Sequence, residues 1–380
     1  MIADPSPPSG GRAIVWFRKD LRLRDNPCLE AALRSGKEII PVYIWNKEEG
    51  GAWSPGAAAR WWLHHALASL GQDIQNYGGS LILQKGTAEE MIPRLAESLG
   101  ADTLYFGRTY DPAGLATEKA VELASAGRNI TIESFNTSLL NEPWEIKNGS
   151  GRPFQVFTPY WRKSRAGIYR EPADYSLSSL SFSTVQSPGH KLDELGLLPS
   201  HDWHTKLSEH WDVSEDAAHK LIQRTADVIT RSYATARNIP SKDGTSRLSP
   251  YLAWGLVSPR QICQAVLTAD NEGGHRGENK YLVEIGWREF SYQLLYHFPH
   301  IPDQPLREKY STFPWLDDAQ SLKAWQFGNT GYPMVDAGMR QLYETGWMHN
   351  RVRMVVASFL VKHLLISWQD GARWFWDTLV

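Results

Sequence analysis

Short apolar runs alternate with amphipathic stretches of helical length over the first 135 residues. Ala13 to Phe17 and Glu38 to Trp45 (EIIPVYIW) are near-continuous apolar segments, and Ser80 to Leu83, Thr103 to Phe106 and Ile130 to Ile132 follow. Runs of this length with no helical period fit strands buried on both faces. Between them, Gly56 to Leu70 carries Trp61, Leu63, Ala66, Leu67 and Leu70 at near-helical spacing. Thr87-Ala-Glu-Glu90 has the form of a capping box that opens a helix through Leu99. Strands alternating with helices predict βαβ units and a parallel, Rossmann-like sheet over residues 1–135. No G-x-G-x-x-G follows the first strand, which weighs against a dinucleotide fingerprint here.

Residues 136–212 are richer in proline, glycine, serine and asparagine, and their short apolar runs hold no period. They read as a long interdomain connection crossing the surface. From about Ser214 onward the pattern is helical, giving an all-α domain over 213–380. Ser249-Pro250 and Ser258-Pro259 each place an N-cap hydroxyl before a first-turn proline. Further helices are predicted at Lys280 to His297, Ser321 to Phe327, Pro333 to Thr345 and Arg351 to Trp368.

Composition narrows the function. The chain has 380 residues, 42% hydrophobic and 22% charged, as expected of a globular protein with two or more cores. No apolar run reaches the roughly 18 residues of a membrane helix. Met1 to Arg12 reads as a floppy leader, without the apolar block of a signal peptide. Two cysteines, Cys28 and Cys263, exclude a disulfide scaffold and a cysteine-based zinc site. A reducing cytoplasm fits, and no metal is predicted. A net charge of -2 does not announce a nucleic-acid binder, so any such activity needs a local basic face. The 17 tryptophans suit large cores, platforms for a flat ligand or for bases, or a redox path.

Two constellations carry candidate chemistry. Thr245-Ser-Arg-Leu-Ser249 offers three hydroxyls and a guanidinium just before a helix start, where orphan N–H groups favour an anion. It is either a phosphate cradle or an ordinary cap. Glu284 and Trp287 lie three apart, on one helical face. A carboxyl beside an indole can recognise and stack a base, or it is a solvated Glu beside a buried Trp.

Five segments together resemble the photolyase/cryptochrome flavoproteins: IVWFRKDLRLRDNPCLEAA (Ile14 to Ala32), TSRLSPYLAWGLVSPRQ (Thr245 to Gln261), EIGWREF (Glu284 to Phe290), AWQFGNTGYPMVDAGMRQL (Ala324 to Leu342) and GWMHNRVRMVVASFLVKHLL (Gly346 to Leu365). The resemblance implies an N-terminal α/β antenna domain, a long linker and a C-terminal helical domain that cups FAD. Family chains continue for roughly a hundred further residues that close the cofactor cavity, so the FAD domain here is expected to be incomplete.

The same resemblance implies site residues. Tyr233, the Thr245-Ser246-Arg247-Leu248-Ser249 loop, Tyr281 and Arg353 stand at cofactor positions. Glu284, Trp287, Asn350 and Met354 stand at the lesion pocket, and Asn350 with Met354 favours the cyclobutane pyrimidine dimer over the (6-4) lesion. Arg237, Arg288 and Arg351, with Glu284, Trp287 and Asn350, stand at the surface for UV-damaged DNA. A basic face is expected from Arg162, Lys163, Arg165, Lys242 and Arg247 together with Arg237, Arg351 and Arg353. Trp315 and Trp368 match the outer and middle members of a tryptophan chain that photoreduces the flavin. Asp111 lies near a position that binds a second, antenna chromophore, either methenyltetrahydrofolate or a deazaflavin. The expected activity is light-driven dimer repair by a monomer. The alternatives are a cryptochrome-type blue-light receptor without repair and an inactive fragment.

Overall fold

A computed structural model describes residues 10–185, 188–270 and 276–380; residues 1–9 of the expected leader fall outside them. Five strands, β1 (Arg12–Phe17), β2 (Glu38–Trp45), β3 (Ile82–Lys85), β4 (Ala101–Gly107) and β5 (Thr131–Phe135), form one parallel sheet in the order β3-β2-β1-β4-β5. Helices α1 (Pro27–Ser35), α2 (Ala57–Asn76), α3 (Ala88–Leu99) and α4 (Pro112–Ser125) make the crossovers. Side chains alternate between two cores. Ile14, Trp16, Ile40, Val42, Leu104 and Phe106 pack with α3 and Val121 of α4, whereas Ala13, Val15, Phe17, Ile39 and Tyr43 pack with α1 and α2.

The run EIIPVYIW is β2 residue for residue. Its Pro41 has no N–H to give, and the pairing is arranged around it. β3 starts opposite Val42, and on the same strand Ile39 is bridged by Phe182. β3 begins two residues later than expected and runs on into Gln84 and Lys85. It is an edge strand, with one neighbour, so polar residues are tolerated at its end. The expected capping box at Thr87 is not made: Thr87 caps α3 by backbone position only, and its hydroxyl is buried without a partner.

The segment after β5 is more than a surface crossing. It forms α5 (Phe157–Ser164) and several short 3-10 turns, and it buries Tyr160, Ile168, Leu180, Phe182 and Leu207. Beyond it come α6 (Glu215–Arg224), α7 (Thr230–Ala236), α8 (Ser249–Ala253), α9 (Pro259–Asp270), α10 (Arg276–His297), α11 (Ala319–Gln326), α12 (Pro333–Thr345), α13 (Asn350–Lys362) and α14 (Trp368–Thr378). Ser214 caps α6 through the Ala217 N–H. At α9 the Ser258 hydroxyl and the Gln261 side chain cap each other's backbone N–H groups. Ser249 is no cap: it is the first helical residue of α8, and Leu248 holds the cap position. The helix expected over Arg351 to Trp368 is two helices. Leu365 adopts φ 55°, the Leu364 and Ile366 N–H groups turn back to Phe359 and Leu360, and Ser367 then caps α14.

The two halves meet at the loop after β1. Arg22 is fully buried, and its guanidinium donates to the carbonyls of Arg24, Asp25, Thr137 and Gly255. The Glu215 carboxylate accepts from the Leu23 and Arg24 N–H groups, at 2.7 and 2.9 Å, and Arg260 reaches Asp25. Gly255 has φ 70°, and any Cβ there would strike the Lys19 backbone. Trp62 of α2 packs edge-on to Trp211 and Tyr251, so one apolar core runs from the sheet into the helices.

Candidate cofactor and nucleic-acid site

Helix α10 is the beam of the site. One side is fastened to the segment after β5 at every turn. Glu289 accepts from the Leu140 and Asn141 N–H groups at 2.8 and 3.1 Å, Gln293 donates to the Ile146 carbonyl, and His297 meets the Pro143 carbonyl. These residues are four apart and share one stripe. Burial pushes the Glu289 carboxyl up to about 7, against the pull of Arg288 and the two N–H groups. Arg288, expected at the DNA surface, faces inward instead. It donates to the carbonyls of Ser138 and Leu252, and its side chain is 17% exposed. A guanidinium committed to two carbonyls is a clamp and is not free for a phosphate.

The other side of α10 presents Tyr281, Glu284 and Trp287. Arg237, from the end of α7, forms an ion pair with Glu284 and lies 5.1 Å from the Tyr233 ring. Arg237 is only 7% exposed, so its expected place on the DNA surface is also corrected. Desolvation favours holding it against the carboxylate. Tyr233 stands edge-on to Tyr281 at 5.0 Å, and the Tyr281 hydroxyl donates to Ser246 Oγ at 3.0 Å. A run of direct contacts therefore joins Ser246, Tyr281, Tyr233, Arg237 and Glu284.

The 245–249 loop is held open by its backbone. Arg247 adopts φ 54°, uncommon for a residue with a side chain. Its guanidinium lies 4.9 Å over the Trp347 ring, with Asp243 at 3.8 Å. Because Ser249 does not cap α8, its hydroxyl is exposed and available.

Helix α13 brings the last group. His349 is 2% exposed and caps α13: its Nδ1 accepts the Arg351 N–H at 3.2 Å. Burial lowers its pKa from the ordinary value, and Arg351 and Arg237 lower it further, while the Arg237 backbone pulls the other way. Only the neutral ring can accept at Nδ1, and a cation at a helix N-terminus is unfavourable. A depressed histidine pKa means that the stabilisation by the neutral cap is whole above the unfolded value of about 6.5 and is lost as pH falls from there through the lower folded value. Asparagine caps at any pH. His349→Asn should therefore remove part of the stability loss between pH 7.5 and 5.5, about 1 kcal/mol, in urea titrations. Parallel pH profiles for the two proteins would remove His349 from this role.

Asn350 and Met354 are exposed, and Arg351 bonds Asn238 Oδ1 at 2.9 Å. Arg353 is turned inward. Burial lowers its pKa, its Nε is buried without a hydrogen bond, and it makes no ion pair among the described residues. Arg237 and Arg353 thus leave the expected basic face, whereas Arg162, Lys163, Arg165, Lys242 and Arg247 remain exposed. These features fit a dinucleotide flavin. The loop offers the exposed Ser249 hydroxyl and a guanidinium to a diphosphate, Tyr233 and Tyr281 form a wall, and Arg353 is a half-buried cation without an ion pair among the described residues.

Trp315 and Trp368 are both half-buried, on segments joined by the Leu316 N–H to Leu365 carbonyl bond. Trp325 is a core residue, 0% exposed, its Nε1 donating to the Val356 carbonyl.

A hollow of about 500 Å³ lies at the C-terminal ends of β1 and β2, beside the point where strand order reverses. Trp16, Trp45, Trp53, Trp254 and Trp376 line it with Asp111. Asp111 caps α4 through the Gly114 N–H and lies 3.6 Å from Lys19. Burial works against the charged form, but these partners keep its carboxyl below the usual range. The far end of α14 closes this hollow: Trp376 donates to the Ser54 carbonyl, and Asp377 accepts the Ala57 N–H at 2.8 Å. Sequence reasoning missed Arg22, Glu215, Phe157 and Asp377; among these only Arg22 carried a signal, as a charge inside a loop that follows a buried strand.

Comparison with known proteins gives the family. Residues 13–176 match the DNA photolyase family, and residues 281–380 match the FAD binding domain of DNA photolyase. The chain is 44% identical to a deoxyribodipyrimidine photo-lyase of Agrobacterium fabrum, over 97% of this chain and 76% of that protein. It is 37% identical to Cryptochrome-2 of Arabidopsis thaliana, over 97% of this chain and 62% of that protein, less than two thirds of its length. A bacterial class III photolyase structure from Agrobacterium tumefaciens superposes with a TM-score of 0.92 at 42% identity, covering 99% of this chain and 77% of the other. On these matches, which span the sheet with its tryptophan-lined crevice and the helices joined to it, the chain belongs to the photolyase/cryptochrome flavoproteins.

Proposed function

We propose that the protein is a light-driven DNA-repair enzyme that uses FAD and splits cyclobutane pyrimidine dimers. The observation that carries this reading is the grouping of Glu284, fixed by Arg237, with the 45% exposed Trp287 on one side of α10; α13 is tied to the residue after Arg237 by the Arg351 bond to Asn238, and its Asn350 and Met354 are exposed. A carboxylate that cannot swing away is suited to hydrogen-bond a base edge, and an indole with an open face is suited to stack it. Met354, 57% exposed, offers a soft apolar contact to the dimer methyls. Arg351, with the exposed Arg162, Lys163 and Lys242, takes backbone phosphates.

FAD, bound in its reduced form and excited by blue light, supplies the electron for dimer cleavage. Ser246, Ser249 and Arg247 would hold its diphosphate, Tyr233 and Tyr281 would wall it, and Arg353 would contribute a half-buried positive charge. Trp315 and Trp368 are oxidisable rings suited to passing electrons inward from solvent. The crevice above β1 and β2 is suited to a flat antenna chromophore, a folate or a deazaflavin, beside Asp111.

The test is to record flavin absorption of the purified chain and then assay dimer loss from irradiated DNA under blue light. Flavin with light-dependent loss is the expected result. Flavin without loss would favour a receptor like the cryptochrome relatives, and a chain without flavin would defeat the proposal.

A further inference from the structure

The proposed lesion platform, Trp287, is not a free-standing ring. Phe157 of α5 lies flat on it, with ring centroids 3.7 Å apart and planes within 8°. Phe157 is itself nearly parallel to Trp161, at 6.2 Å and 11°, and stands edge-on to Phe290 at 5.9 Å. Trp161 lies so close to α10 that no side chain fits at position 286, which is glycine. The layers Trp161, Phe157 and Trp287 form a stack, with one face of the outermost indole taken from within.

We infer that Phe157 is a positioning residue for damaged-base recognition: it fixes the plane of Trp287, so that a flipped-out pyrimidine dimer meets one pre-set open face. This rests on the reading of Trp287 as the platform. The physical reason is pre-organisation. An indole free to rotate loses that freedom when a base stacks on it, whereas one already held flat does not. The holding residue comes from the segment between sheet and helices, so the lesion site is built from two parts of the chain.

The experiment measures binding of the full-length chain to a single-stranded oligonucleotide carrying one thymine cyclobutane dimer, with the undamaged oligonucleotide as control. Phe157→Ala should weaken binding to the dimer by about threefold to tenfold, the fold-change expected for an aromatic pair of this kind, and leave binding to the control unchanged. Phe157→Tyr, which keeps the ring, should restore it. Phe157→Ala should add nothing in a Trp287→Ala background, because the effect passes through Trp287. If Phe157→Ala fails to fold, Phe157→Leu keeps the apolar volume without the flat ring and should show the same loss. Wild-type affinity in Phe157→Ala or Phe157→Leu, with weak binding in Trp287→Ala, would overturn the inference and leave the platform reading standing. Additive losses in the double variant would also overturn it. Wild-type affinity in Trp287→Ala would overturn the platform reading itself and the inference with it.

Discussion

Arg22→Ala is expected to cost about 4 kcal/mol of folding stability and to leave much of the chain insoluble at 37 °C. The guanidinium is fully buried and serves four carbonyls from three separate segments. Removing it leaves those carbonyls without donors in a place water does not reach, and each unmet buried acceptor costs about 1–3 kcal/mol. A cavity opens as well. A domain of ordinary stability has only about 5–15 kcal/mol in hand. Arg22→Met separates the two terms, because it refills the volume and restores no donor, so it should recover little. The check is the urea midpoint of each variant; a midpoint within 0.5 M of wild type (about 1 kcal/mol at an ordinary urea slope) for Arg22→Ala would show that the loop holds without its arginine.

Glu284→Ala should lower the rate of dimer repair by about tenfold to a hundredfold, the loss expected for one charge-assisted hydrogen bond to a base. Flavin content per chain should not change. Two effects combine in the variant: the base edge loses its acceptor, and Arg237, 7% exposed, loses its counter-charge. Glu284→Gln keeps an acceptor oxygen next to Arg237 and should show the smaller defect. Adding Arg237→Met to Glu284→Ala should recover folding stability without recovering repair. Loss of flavin in Glu284→Ala, measured by absorbance after gel filtration, would place Glu284 in the cofactor site and contradict its assignment to the lesion.

The parts of the fold readable from the sequence were those in which one local pattern decides the outcome. β2 lies in the interior of the sheet, so its apolar run ends where its burial ends, and α12 is bounded by Pro333 and Gly346. Edge strand β3 was misplaced because it runs on through Gln84, a polar residue that is buried and donates to the Pro188 carbonyl, which no apolar pattern marks. The break after Lys362 was hidden because α13 and α14 both continue an apolar pattern, and a left-handed Leu365 leaves no sign in composition. At the site, residue types were legible and pairings were not. Arg237 and Arg288 look like surface cations in the sequence; Glu284 and the carbonyls of Ser138 and Leu252, far away along the chain, draw them inward. The Phe157 stack on Trp287 spans 130 positions and has no local signature.

Asp377 bears on how the protein can be divided. It supplies to the start of α2 the acceptor that Gly56, having no side chain, cannot, and Trp376 beside it shuts one wall of the crevice. The sheet is therefore finished by residues more than 300 positions downstream. Excising the first 135 residues would strip that unit of a helix cap, of a wall and of two of the four carbonyls that hold Arg22, those of Thr137 and Gly255. The two halves are interdependent in assembly, and neither is a cassette to be transplanted without the other.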